Sequence, residues 1–192
     1  MSVITISRGT FSGGQQLAEY IAGKLGYRCI SREALVQAAR DHGVPLDELS
    51  RALSEPPGGI FHRVSLRRVH YLVYVQEELV KAVQDERAVY HGLAGQLLLR
   101  DVPHVLKVKV IANMEFRIRS AMDRLRCGRR EAVDFIKKID KKRNDWVRYL
   151  YNVDRNDLSL YDLVVNLDRM DIASACEVVC AAASQEEFQP TP

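Results

Sequence analysis

A chain of 192 residues has the length of one domain with a sizeable core, and 47% hydrophobic against 28% charged residues excludes global disorder. A net charge of +3 is too small a bias to indicate nucleic acid by itself. No run approaches the ~20 apolar residues of a membrane-spanning helix, and no basic leader precedes the strand-like VITI, so a cytoplasmic domain away from the membrane is expected. Cys29, Cys127, Cys176 and Cys180 have neither paired metal spacing nor the density of a disulfide scaffold and read as reduced thiols.

In chain order, Ser2 to Ser7 is β-branched and apolar, as a buried parallel strand requires. The glycine-bearing SRGTFSGG follows, then QQLAEYIAGKLG, which sets Leu17, Ile21 and Leu25 on one helical stripe and ends at a natural C-cap, Gly26. YRCI reads as a second strand, SREALVQAAR as a helix capped by Ser31, and VPLDELSRAL as a short helix. After the loop SEPPGGIF, a long helix over about 63–86 places Leu66, Val69, Leu72, Val73, Val80 and Val83 on its buried side. RAVYHG and HVLKVKVIAN read as strands, about 115–149 as helical, YDLVVNLD as a strand and IASACEVVCAAAS as a closing helix, with QEEFQPTP as a frayed tail. Strands alternating with helices predict a parallel sheet covered on both faces, with ligands beyond the carboxyl ends of the strands.

The loop lies at such an end. Against the phosphate-loop pattern G-x-x-x-x-G-K-[ST], it reads Gly9, Thr10, Phe11, Ser12, Gly13, Gly14, Gln15 and Gln16. The backbone half survives: glycines let successive N–H groups face an anion, and the following helix adds the positive end of its dipole. Gln15 stands where the pattern has the lysine that charges the β and γ phosphates, and Gln16 where it has the hydroxyl that holds magnesium. From Arg117 to Arg148 basic residues dominate, which marks either a dock for something anionic or a solvated helix face. His91, at a strand end, is read as a polar lining residue rather than a metal ligand or base; His62 and His70 are read as surface residues and Trp146 as core. Cys176 and Cys180, one helical turn apart on an apolar stripe, are read as core packing.

The stretches ITISRGTFSGGQQLAEYIAGKLGY, VYHGLAGQLLLRDVPHVLKVKVIAN, EAVDFIKKIDKKRNDWVRYLY and YDLVVNLDRM, in this order, resemble the cytidylate kinase-like family of the P-loop nucleoside monophosphate kinases, over roughly Val3 to Ala182. The resemblance implies an α/β three-layer P-loop kinase fold: a five-stranded parallel sheet with helices on both faces, and a single domain over 1–192 with an arginine-rich helical lid at about 117–150. It implies ATP with Mg2+ at a site formed by Arg8, Gly9, Ser12, Gly13, Gly14, Gln15 and Gln16, with Gln16 toward the metal. It places an acceptor opposite, near Ser31, Arg32, His91 and Gly92. Asp140, Arg143 and Arg148 are the marked lid residues; Gln15, Arg143 and Arg148 are the catalytic candidates, and Arg8 is expected to return part of the charge that Gln15 lacks. The sequence departs from the family's pattern at Gln15, at Leu93 in place of arginine, at His91 and Ala94 in place of acids, and at Ser31 where aspartate is common. Two readings stay open: an ATP-dependent phosphotransferase acting on a nucleoside monophosphate or similar small acceptor, or a catalytically degenerate nucleotide-binding protein with a regulatory or interaction role. The expected partner is a nucleotide or other small phosphorylated ligand, not nucleic acid, and the oligomeric state is left open.

Overall fold

The computed structural model describes residues 3–34, 37, 73, 76–83, 87–92 and 94–189. Five parallel strands form one sheet in the order β2-β3-β1-β4-β5. They are β1 (Val3–Arg8), β2 (Arg28–Ser31), β3 (Ala88–His91), β4 (Val105–Ile111) and β5 (Leu163–Asn166). The helices labelled here are α1 (Gly14–Leu25), the single turn α2 (Gly95–Leu98), α3 (Met114–Leu125), α4 (Arg129–Tyr151) and α5 (Ile172–Ala183).

Period-two alternation along the central strands divides the core into two layers. Ile4 and Ile6 of β1, Val89 of β3 and Leu106, Val108 and Val110 of β4 face α1 and α5, where Leu17, Ile21, Cys176 and Val179 complete the packing. Val3, Ala88, Tyr90 and Val105 face the other way, onto Leu79, Val83, α2 and the Trp146–Val147 turn of α4. A third cluster, Ile118 and Ala121 with Ala132 and Ile136, zips α3 to α4. Leu17 and Ile21 are fully buried, and each contributes roughly 2–3 kcal/mol of apolar transfer free energy.

Register positions the site. Ile6 pairs with His91, Ser31 with His91, and Arg8 with Val110, so Arg8, Ser31 and His91 share the carboxyl edge of the sheet.

Several expectations are met locally. Gly26 caps α1 in the left-handed conformation (φ 65°), and Ala34 N–H donates to Ser31 Oγ at 3.1 Å as a helix cap. Cys176 and Cys180 have their sulfurs 3.7 Å apart within the core layer, and Trp146 is buried. Others are corrected. The helical stretch after β4 is two helices, because Arg126 turns left-handed (φ 54°) and Gly128 caps a new start. The tail is docked at residues 185–189: Glu186–Phe188 forms a 3-10 turn, and Phe188 packs on the α1/α5 layer. Among the described residues of the long helix, Leu79 and Val83 are buried in the core, and the exposed Gln76 donates its amide to Leu98 O at 3.2 Å. Val73 and Val80 lie on its flank, 52% and 40% exposed. Leu66, Val69, Leu72, His62, His70, the VPLDELSRAL segment and Leu93 lie outside the described residues. Among the described residues no helix is long and apolar enough to cross a membrane.

Candidate functional site

The loop between β1 and α1 is curled by two left-handed residues, Phe11 (φ 60°) and Gly13 (φ 84°). Gly13 is required there twice over, since a Cβ would also come 2.9 Å from Leu167 Cδ1. Phe11 carries a strain of about 1 kcal/mol, offset by its ring, which packs 5.9 Å from that of Phe135. Ser12 closes the curl by donating its N–H and its Oγ to Gly9 O, at 3.3 and 3.0 Å. Helix α1 makes its first closing bond from Leu17 N–H to Gly13 O. The N–H groups of Gly14, Gln15 and Gln16 therefore point out of the helix end, the arrangement that binds phosphate oxygens.

Cations converge beside this cradle. Arg143, from α4, donates from Nη1 to Thr10 Oγ1 at 3.2 Å, and Arg155 donates from Nη2 to Arg8 O at 2.8 Å. Lys109 is buried in β4, its Nζ 2.9 Å from Arg155 O and 4.9 Å from the centre of the Tyr161 ring. Burial lowers Arg8 and Arg155, lowers Arg143 to about 10, and lowers Lys109 to about 8. Among the described residues, neither Arg8, Arg143 nor Arg155 has a carboxylate within ion-pair distance. A desolvated cation without a counter-charge costs several kcal/mol, and an anionic ligand removes that cost. The space for it exists: Arg8, Arg32, Glu33, Gly92, Arg143 and Arg155 line a cavity of about 40 Å³, and Arg8 and Arg143 also line the cavity of about 270 Å³ over the glycine loop. Beside Gly13 and Gln16, a larger apolar cavity of about 410 Å³ is walled by Phe11, Phe116, Leu167, Met170 and Ile172, with Arg124 at its edge.

Asp140 ties α4 to the loop. Its Oδ1 accepts from Thr10 N–H at 3.1 Å and Thr10 Oγ1 at 2.7 Å, while Oδ2 pairs with Arg117. Arg117 also donates from Nε to Thr10 O at 2.8 Å, and its guanidinium lies 3.3 Å from where a Gly9 Cβ would stand. Burial pushes the Asp140 carboxyl up, yet the bonds from Thr10 and Arg117 outweigh it and hold the group below the usual carboxylate range.

The sequence matches one known family over residues 3–169: the cytidylate kinase-like family. The chain belongs to the cytidylate kinase-like family. Curated relatives of that family include a cytidylate kinase of Methanothrix thermoacetophila, 27% identical over 183 residues that cover 94% of this chain and 96% of the relative. Another is a cytidylate kinase of Methanocaldococcus jannaschii, 27% identical over 188 residues with the same coverage. In fold the chain is similar to an uncharacterised protein from Eubacterium ventriosum (TM-score 0.77, 18% identity, 96% of this chain and 100% of that one). It is also similar in fold to a shikimate kinase from Bacteroides thetaiotaomicron (TM-score 0.59, 13% identity, 96% and 99%). The fold is that of the P-loop kinases.

Against the residues marked by the family resemblance, the structure gathers Arg8, Gly9, Ser12, Gly13, Gly14, Gln15 and Gln16 around one cavity, and Arg143 with them. Arg32 and Gly92 line the adjoining cationic cavity; a Cβ on Gly92 would come 2.1 Å from Tyr90 Oη, so glycine keeps that wall open. Ser31 is engaged as a helix cap. His91 is buried, its Nδ1 without a hydrogen-bond partner among the described residues, and burial, then the charge of Arg8, lowers its pKa. Arg148 is not brought to these cavities: it is exposed on α4, 3.7 Å from Asp154 Oδ2. The Gln15 amide donates along its own helix to Glu19 Oε1 at 2.9 Å. Sequence reasoning missed Thr10, Lys109, Arg155 and the role of Arg117. A lysine in the middle of an otherwise buried strand, HVLKVKVIAN, was a signal for Lys109. Nothing in the local pattern marks Arg155, which reaches the loop from 147 positions away.

Proposed function

We propose that this protein is an ATP-dependent phosphotransferase whose acceptor is a nucleoside monophosphate or a similar small phosphorylated molecule. The observation that carries this reading is the convergence of Arg8, Arg143 and Arg155, without carboxylate partners among the described residues, on a cavity that shares Arg8 and Arg143 with the cavity over the backbone phosphate cradle. The triphosphate would lie on the N–H groups of Gly13 to Gln16, with its base in the apolar cavity beside Arg124. The acceptor phosphate would lie among Arg32, Arg143 and Arg155. An acceptor oxygen forms its bond to the γ-phosphorus as the bond from that phosphorus to the β,γ-bridging oxygen breaks and ADP departs. The arginines lower the cost of charge spread over the transferring group and the bridging oxygen.

Magnesium supplies further charge neutralisation when it enters with the triphosphate. Among the described residues no cluster of three or more His, Cys, Asp or Glu side chains gathers to hold an ion of its own. The carboxamide oxygen of Gln16 offers one neutral ligand, which fits a magnesium ion otherwise coordinated by phosphate oxygens and water. The segment about 117–150 is the lid of this reading, hinged on the Asp140–Thr10 contact, with Arg148 reaching phosphate only in a more closed state.

The deciding experiment is ADP formation from ATP and magnesium across CMP, UMP, AMP, GMP and their deoxy forms. Turnover with one of them, lost in Arg143→Ala, supports the reading. The neutral Gln15, tied to Glu19, favours a second reading, a nucleotide-binding protein without transfer. ATP binding with no turnover across the panel selects it.

A further inference from the structure

The loop position that ordinarily carries a cation is neutral here, and its side chain is committed elsewhere: the Gln15 amide is bound to Glu19 Oε1 at 2.9 Å. Arg8 sits at the opposite end of the same loop, as the last residue of β1. Its stem runs against the first residue of α1, because a Cβ on Gly14 would come 2.7 Å from Arg8 Cβ and 3.0 Å from Arg8 Cδ. A glycine at 14 is therefore what lets the arginine pass beneath the helix end. Arg8 lines both the loop cavity and the cationic cavity, so the residue lies between the proposed triphosphate cradle and the proposed acceptor side. Its main chain is held on both sides: Arg8 pairs in register with Val110 of β4, and its carbonyl accepts from Arg155.

We propose that Arg8 is the transferring-phosphate cation of this loop, contributed from the strand side in place of the residue at position 15. This rests on the phosphotransfer reading above and assigns the charge on which that reading depends. During transfer, charge accumulates on the β,γ-bridging oxygen and the three equatorial oxygens of the γ-phosphoryl group. A guanidinium from position 8 donates to two of these oxygens at once, a geometry that a lysine ammonium reproduces as charge but not as a fork. Gln15 and Gln16 are then a consequence of the relocation: with the cation on β1, the first turn of α1 has only to present its N–H groups. Besides burial, the ionisable groups that act most on Arg8 are Glu33, Tyr90, Arg32 and Arg155. Among the described residues, Glu33 is the one acid lining the cationic cavity, and it lies beside Arg32 at 3.3 Å.

The test uses the full chain with ATP, magnesium and CMP as probes, reading ATP affinity by calorimetry and turnover by ADP release. Arg8→Gln is expected to weaken ATP binding at least ~10-fold and to lower turnover ~100-fold or more, in line with the loss of one positioned transition-state donor. Arg8→Lys keeps the charge and stem and should lose ~10-fold or less in affinity. The diagnostic variant is Arg8→Gln combined with Gln15→Lys, which restores a cation from the helix side and should regain at least ~10-fold over Arg8→Gln alone. A merely structural Arg8 predicts no such rescue. Arg8→Gln within about twofold of the unaltered protein in ATP affinity overturns the assignment, as does a double variant no better than Arg8→Gln with an unchanged melting temperature. If the unaltered protein binds ATP but transfers to no acceptor, the phosphotransfer reading fails separately, and the same affinity comparison still decides for or against Arg8. An unaltered protein that binds no ATP overturns both.

Discussion

Replacing Asp140 by asparagine keeps the shape of the side chain and removes its charge, which isolates what the carboxylate does for the loop. In the structure Oδ1 accepts two bonds from Thr10, at 3.1 and 2.7 Å, and Oδ2 pairs with Arg117. An asparagine oxygen can keep the Thr10 bonds in weakened, neutral form, but its NH2 then faces the Arg117 guanidinium, donor against donor. Hydrogen bonds to charged groups contribute roughly 1.5–3 kcal/mol each, and breaking a buried pair costs about 3–5 kcal/mol. The carboxylate is 26% exposed, so the pair term shrinks and a net loss of about 2–3 kcal/mol is expected, or about 5–10 °C in Tm for a chain of this size. The pH dependence gives the sign. The folded pKa of Asp140 lies below its ordinary value of 3.8. Its contribution is therefore complete above that value and is lost as pH falls through the folded pKa. Urea unfolding of the two proteins should differ by the full amount at pH 7 and converge as pH falls below 3.8 and through the folded pKa. A difference unchanged between pH 7 and the lowest pH at which both remain folded would refute the carboxylate account and leave only packing.

Other outcomes follow from the same geometry. Gly14→Asp should abolish ATP binding in calorimetry, because its Cβ would meet Arg8 at 2.7 Å and its carboxylate would enter the phosphate cradle; unchanged affinity would remove the loop from the site. Lys109 titrates at about 8, lowered from 10.5 by burial, so its charged form burdens the folded state at neutral pH. Relative to Lys109→Met, the unaltered protein should therefore gain roughly 2–3 kcal/mol of stability as pH rises from about 8 to 10.5, measured by urea unfolding; a flat difference would contradict that placement. Hydrogen exchange across 117–150 should slow when ATP and magnesium are added, and protection confined to other segments would rule against the lid.

The alternation of β-branched strands with amphipathic helices, the glycine loop at a strand end and the helix caps at Ser31 and Gly26 were all legible in the sequence, because each depends on neighbours within a few positions. So was the missing cation at Gln15, as a type of residue at a known spacing. What Gln15 does instead was not legible, since only the built helix shows its amide bound to Glu19. The same holds for the break between α3 and α4. Arg126 carries no mark of a left-handed residue, and the turn is selected by the zipping of Ile118 and Ala121 against Ala132 and Ile136.

By itself the sequence determined the order of elements, the strand and helix periodicities and the backbone half of a phosphate loop, all of which are local consequences of side-chain shape and spacing. Only the tertiary structure decided which charges meet. Parallel register brings Arg8 and His91 to one edge of the sheet, a 23-residue α4 carries Asp140 and Arg143 back onto Thr10, and Lys109 and Tyr161 hold the backbone from which Arg155 reaches Arg8. Thr10 lies 130 and 133 positions from Asp140 and Arg143, and Arg8 lies 147 from Arg155. Charge interactions depend on separation in space, which pattern along a sequence does not encode, whereas burial fixes both that separation and the desolvation that makes an unpaired arginine demand an anion.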